Sequence, residues 1–144
     1  MPQHLVFLDA NFLLIPVQFQ VDIYQEFDQL LPHPYKLIVL KPIIKELKQK
    51  LHREPTQKKL KQQIRLALQI LDKSPCQIRE VPFSKNTHVD DFLIEITRNH
   101  QTKFPNDKVY LASNDKELRQ KASNAHIRTV YLRKKRYLAV NINN

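Results

Sequence analysis

The chain of 144 residues contains no glycine at all. That excludes any Gly-rich phosphate loop, so P-loop and dinucleotide-binding readings fall away. It also means that turns and helix ends must manage without the residue that takes left-handed backbone most freely, leaning on Asn, Asp, Lys and nine prolines. Cysteine is nearly absent as well. Cys76 stands alone, so neither an internal disulfide nor a Cys-based zinc site can form, and a single thiol suits a reducing cytoplasm. No apolar run is long enough to span a bilayer. The N-terminus lacks a basic n-region and Asp9 interrupts its apolar stretch, which argues against a signal peptide. The histidines (His4, His33, His52, His88, His100 and His126) show no metal-ligand spacing.

What is present is ordinary in amount and uneven in charge. Hydrophobic residues make up 42% and charged residues 26%, as expected of one globular domain over residues 1–144 with its own core. Lys and Arg number 24 against 14 Asp and Glu, a formal charge of +10. A polyanion, RNA or DNA before a membrane, is the natural partner.

Apolar patterning alternates between two periods. Residues 5–8 (LVFL) and 37–40 (LIVL) read as strands buried on both faces. Residues 17–31 carry Val17, Val21, Tyr24, Phe27 and Leu31 at helical spacing, ended by Pro32 and Pro34. PIIKELKQKL (42–51) opens a helix on proline. After a polar connector, 52–59, Thr56 is placed to cap a helix that buries Leu60, Ile64, Ala67, Leu68 and Leu71. Further along come a short strand at 77–81, a helix at 88–100, a strand at 108–113, a helix at 114–123 and a strand at 127–132. The basic segment 133–144 carries no clear pattern. Strand–helix alternation predicts parallel strands joined by right-handed crossovers, a three-layer α/β/α sandwich. Ligands bind such sheets at the carboxyl ends of the strands, near the point where the strand order reverses.

Acids gather at that edge in an otherwise basic chain. Asp9 ends the first strand, Asp115 follows strand 108–113, Asp90 and Asp91 open a helix, and Glu46 lies beside the apolar stripe of its helix. Crowded carboxylates repel, and a hard divalent cation such as Mg²⁺ or Mn²⁺ relieves the repulsion. One or two such ions can activate water against a phosphodiester while a basic rim holds the polyanion. Each acid also has a structural reading. Asp115 or Asn114 can cap the next helix, Asp90 or Asp91 can serve a helix dipole, and Glu46 can pair with Lys50. Asp9, flanked by apolar sequence, has few local partners, and the convergence as a set favours a functional reading.

LDAN, KPIIKEL, VDDFLIE and YLASNDKEL followed by IRTVYLRKKRYL occur in that order, in a stretch that runs from Leu5 to about Tyr137. This ordered set resembles a PIN domain, and FLLIPVQFQVDIY resembles archaeal single-domain, VapC-like members. These are similar to PIN proteins of ribosome assembly. The resemblance implies a central parallel five-stranded sheet and Mg²⁺- or Mn²⁺-dependent cleavage of single-stranded RNA. It places Asp9, Glu46, Asp90 and Asp115 on the metal-binding acids and Asp91 on the second place of the acidic pair. Ser113 falls on a hydroxyl position, Asn11 on an orienting one, and Glu117 on an outer acid. Where the family commonly has glycine, this chain has Asn124-Ala125-His126, with Asn124 suited to the left-handed turn.

Two basic clusters suggest how RNA would be held. One contains Lys45, Lys48, Lys50, Arg53, Lys58, Lys59 and Lys61; the other contains Arg133, Lys134, Lys135 and Arg136 with Tyr137 beside them. Cations position a backbone and an aromatic ring can stack on a base. A solvated charged face is the plain alternative. Cys76 reads as a small buried residue. Phe12 and Phe19 read either as core or as an apolar patch for a homodimer. The function expected is a metal-dependent ribonuclease, in rRNA processing for example. The alternatives are an RNA-binding assembly factor without catalysis, a toxin paired with an antitoxin, and, more distantly, a DNA-processing nuclease.

Overall fold

The computed structural model describes residues 2–53, 55–83 and 87–142. Glu54 of the polar connector and residues 143–144 of the basic segment therefore lie outside the described residues. In chain order the elements are β1 (His4–Leu8), a 3-10 turn (Phe12–Leu14), α1 (Ile15–Phe19), α2 (Ile23–Leu30), β2 (Tyr35–Leu40) and α3 (Lys41–Leu51). Then follow α4 (Lys58–Asp72), β3 (Gln77–Arg79), α5 (Val89–Lys103), β4 (Lys108–Ala112), α6 (Lys116–Asn124), β5 (Arg128–Arg133) and β6 (Tyr137–Asn141).

The strands form one sheet in the order β3-β2-β1-β4-β5-β6. The five strands expected from the sequence all run parallel to one another. Right-handed crossovers put two helix groups on opposite faces. On one face α3 and α1 pack with α4; on the other α5 packs with β4 and α6 with β5. Between the layers Phe7, Phe12, Phe27, Leu5 and Ile38 are fully buried. Phe12 is thus core, not surface.

A sixth strand, β6, is added antiparallel to β5, with Leu132 opposite Leu138 and Val130 opposite Val140. Its signal was hidden by its turn. Lys134 and Lys135 both hold left-handed backbone, at φ 55° and 56°, where Asn-Gly would have announced a hairpin. An Arg136 N–H to Arg133 C=O bond of 3.1 Å closes that turn. Glu26 of α2 covers the outer side of β6 by accepting the Leu138 N–H at 3.0 Å, which blunts an otherwise open edge.

Other departures have local causes. The single helix expected over 17–31 is broken at Gln20, which turns left-handed at φ 56°. Asp22 then caps α2, accepting the N–H groups of Tyr24 and Gln25 at 3.1 Å each. A short acidic side chain that satisfies helix-end donors starts a helix more readily than it continues one. Thr56 does not cap α4: Gln57 precedes the helix and makes no side-chain cap bond. The left-handed residue after α6 is His126 (φ 62°), not Asn124, which remains helical. Its N–H bonds Ser123 C=O at 3.0 Å and the next N–H, of Ile127, reaches Ala122 C=O at 2.9 Å, the Schellman closure usually given to glycine.

Candidate active site

The chain passes from β1 to β2 and β3 on one side, then crosses back to β4 and β5 on the other. The strand order therefore reverses between β1 and β4, whose last residues, Leu8 and Ala112, are paired. The next residue on β1 is Asp9, and its N–H bonds Ala112 C=O at 2.9 Å. On β4 the next residues are Ser113, Asn114 and Asp115. A parallel doubly wound sheet opens its ligand crevice at this place.

Asp9 is only 6% exposed. Its Oδ1 accepts the Ala10 N–H at 2.8 Å and its Oδ2 accepts the Ser113 hydroxyl at 2.9 Å. Ser113, itself fully buried, accepts the Asp115 N–H at 3.0 Å. Asp115 Oδ1 in turn accepts the N–H groups of Glu117 and Leu118 at 2.9 and 3.3 Å. Asp115 thus performs the helix-capping role open to it from sequence. A continuous chain of bonds links the two acids through one hydroxyl.

Burial pushes the Asp9 carboxyl up to about 6. The bonds from Ala10 and Ser113 oppose that rise, while the charges of Asp90 and Glu46 add to it. Glu46, half-buried on α3, is also raised, first by burial and then by Asp90, against the pull of Lys50 and Arg53. Asp90 at the start of α5 is raised by burial and then by Asp115, with Asp91 and Glu117 contributing. Asp90 is the acid that couples the others. Its neighbour Asp91 faces outward, 3.8 Å from Lys121.

Among the described residues, no three Asp, Glu, His or Cys side chains are close enough to hold an ion as they stand. The acids share one field without forming a ready-made cage, as mutually repelling carboxylates should. The donor set still suits a hard cation. It is all carboxylate oxygen, and Asn11 adds a buried Oδ1 that accepts no hydrogen bond.

Sequence reasoning passed over Arg119. Its guanidinium reaches Ser113 C=O at 3.5 Å and lies 4.9 Å over the Tyr131 ring. An arginine one turn past the Asp115 cap was the available signal. Of the basic residues, Lys45, Lys48 and Arg53 line a cleft together with Glu46. Arg133, Lys134, Lys135 and Arg136 are exposed, with Tyr137 38% exposed beside them. β5 continues three residues past Val130, which pairs with Ala112. At the usual rise this carries the basic turn about 10 Å beyond the end of β4, on the acidic edge.

A family model described as a PIN like domain matches residues 6–135. The chain belongs to the PIN-like domain family. Ribonuclease VapC4 of Methanocaldococcus jannaschii is 25% identical to this PIN-like chain over 132 residues, 92% of this chain and 92% of that protein. The structure of the PIN domain endonuclease Utp24 aligns with a TM-score of 0.73 and 20% identity, covering 96% of this chain and 91% of that one. VapBC2 from Rickettsia felis, bound to a DNA fragment from its promoter, aligns with a TM-score of 0.46 and 16% identity, over 81% of this chain and 92% of that one. The Utp24 likeness is one of fold, and it agrees with the α/β architecture of this PIN-like chain. No described helix is long and apolar enough to cross a membrane.

Proposed function

We propose that this PIN-like protein is a metal-dependent endoribonuclease that hydrolyses phosphodiester bonds in single-stranded RNA. One observation carries the reading. Asp9, buried where the strand order reverses, lies in the electrostatic field of Asp90 and Glu46. Burying a carboxylate among other carboxylates opposes folding, and a structural role alone gives no reason for it. The ribonuclease relative, VapC4, supports the choice of RNA.

Asp9, Glu46, Asp90 and Asp115 would hold Mg²⁺ or Mn²⁺, and such an ion supplies Lewis-acid chemistry at a phosphodiester. The rest of the work belongs to side chains. Ser113 fixes the orientation of the Asp9 carboxylate and ties it to the Asp115 turn. Asn11, two residues along the chain from Asp9, has a buried Oδ1 that accepts no hydrogen bond, and Asp91 and Glu117 extend the negative field around Asp90. Lys45, Lys48 and Arg53 on one side, and Arg133, Lys134, Lys135, Arg136 and Tyr137 on the other, would grip the RNA backbone and a base.

A second reading, an RNA-binding factor without turnover, draws on the engagement of Asp115 as a helix cap, which already occupies its Oδ1. Cleavage of labelled single-stranded RNA with Mn²⁺, Mg²⁺ or chelator, in wild type and Asp9→Asn, separates the two. Metal-dependent cutting that the variant loses is expected. Salt-sensitive binding in both proteins with no cutting under any condition would establish the second reading instead.

A further inference from the structure

A cleft of about 1270 Å³ opens beside the acids, between α3, α4, β3 and the residues Glu80, Val81, Phe83 and Val89. Its lining is divided by chemistry. Lys41, Lys45, Lys48 and Arg53 supply cations. Ile44, Ile78, Val81, Phe83 and Val89 supply an apolar wall. Ile78 is 44% exposed although it sits in a strand, and Phe83 is braced edge-on against Phe92, with ring centroids 4.7 Å apart. Three carboxylates also reach the lining, Glu46, Asp72 and Glu80. Lys41 pairs with Glu80 at 2.9 Å and Glu46 belongs to the acidic site, so Lys45, Lys48 and Arg53 remain in excess over Asp72.

An unpaired nucleotide has the matching division: a flat apolar base on an anionic backbone. Glu46 is shared by the cleft and the acidic site, and Val89 of the apolar wall precedes Asp90. A strand lying over the acids therefore continues into the cleft. We propose that the cleft is a base-binding subsite for single-stranded RNA, with Ile78, Val81 and Phe83 against the base and Lys45, Lys48 and Arg53 toward the phosphates. The proposal rests on the RNA reading of the acidic site, and it adds a place where nucleotide identity or base stacking is sensed.

The test is equilibrium binding in chelator, so that nothing is cut. It compares a short single-stranded RNA with a strand of equal length and charge whose central nucleotides are abasic. Wild type should favour the intact strand by about tenfold, the scale of one stacked base. Ile78→Ser and, separately, Val81→Ser should bind the abasic strand as wild type does and shrink the preference severalfold, leaving only the share that Tyr137 supplies on the basic hairpin. Lys48→Ala should weaken both strands equally. Thermal melting of each variant shows that it is folded. Equal binding of the two strands by wild type, or a preference undiminished in both folded serine variants, would overturn the subsite; an acidic protein partner for this cleft predicts the same insensitivity to bases. Failure of the nuclease reading looks different: base preference intact, with no cleavage in any metal.

Discussion

The Ser113 hydroxyl donates to Asp9 Oδ2 at 2.9 Å, joining residues 104 apart in sequence at the carboxyl ends of two neighbouring strands. The same oxygen accepts the Asp115 N–H, so one small side chain sets both the orientation of Asp9 and the turn that carries Asp115. Ser113→Ala removes a donor from a buried carboxylate and an acceptor from a part-buried turn. It should destabilise the fold by about 1–3 kcal/mol, read by urea denaturation. Without that bond the Asp9 carboxyl rises further, so the acid limb of the cleavage pH profile should move upward. A loss of stability with an unmoved acid limb would reduce Ser113 to a structural residue.

Asp9 makes the protein's stability depend on pH in an unusual direction. Its carboxyl ionises at about 6 in the folded protein, above its ordinary 3.8, chiefly through burial. The folded state thus holds that proton more tightly than the unfolded state does. The stability this contributes is fully present below pH 3.8 and is lost as pH rises through 6. Above that window the ionised group opposes folding by about 3 kcal/mol. Glu46 and Asp90 shift in the same direction. In chelator, Asp9→Asn should therefore be more stable than wild type at neutral pH, with the gap closing as pH falls through the window. Adding Mn²⁺ should stabilise wild type and not the variant. A variant less stable than wild type at neutral pH would mean that the Asp9 charge is fully compensated in the fold.

How much of this was legible depends on range. Buried strands such as Leu5 to Leu8 and amphipathic helices such as α4 show themselves through local period. So does the placement of Asp9 and Asp115 at strand ends. The adjacency of β1 and β4 is long-range: parallel topology made it plausible, and only the Leu8–Ala112 pairing establishes it. Positions governed by backbone conformation were the least legible. Gln20, His126, Lys134 and Lys135 all take positive φ; lysine was among the types expected to stand in for glycine, but nothing in the local sequence marked these four positions. A chain without glycine places such conformations where steric context forces them. The cleft was half legible, since Lys45, Lys48 and Arg53 stood out by charge. Ile78, Val81 and Phe83 looked like ordinary strand and loop residues until the fold left a gap beside them.

His126 offers a direct check on that account. Left-handed backbone at a residue with a Cβ is strained by roughly 1–2 kcal/mol, and glycine returns part of that through its greater freedom in the unfolded chain. His126 is exposed and closes α6 through backbone bonds alone. His126→Gly should therefore stabilise the protein by about 0.5–1 kcal/mol and leave cleavage unchanged. His126→Ala, with the same backbone demand, should give no gain. Equal stability of the glycine and alanine variants would remove backbone strain as the reason.

The four cations of the basic hairpin should govern RNA affinity through charge. Arg133, Lys134, Lys135 and Arg136 are exposed on a turn that overhangs the acidic edge, where their cations meet a backbone without reading its bases. Each phosphate neutralised on a single strand adds about 0.7 to the slope of log affinity against log salt. Replacing all four by alanine should lower that slope by up to about 3 and weaken binding at low salt most. The preference for bases over abasic strands should stay as in wild type, because Ile78 and Val81 across the acidic site, and Tyr137 on the hairpin, are left in place. Titrating labelled RNA over a salt series gives both quantities from one data set. A slope that does not change would place the hairpin outside the RNA path and leave the cleft cations as the sole backbone grip.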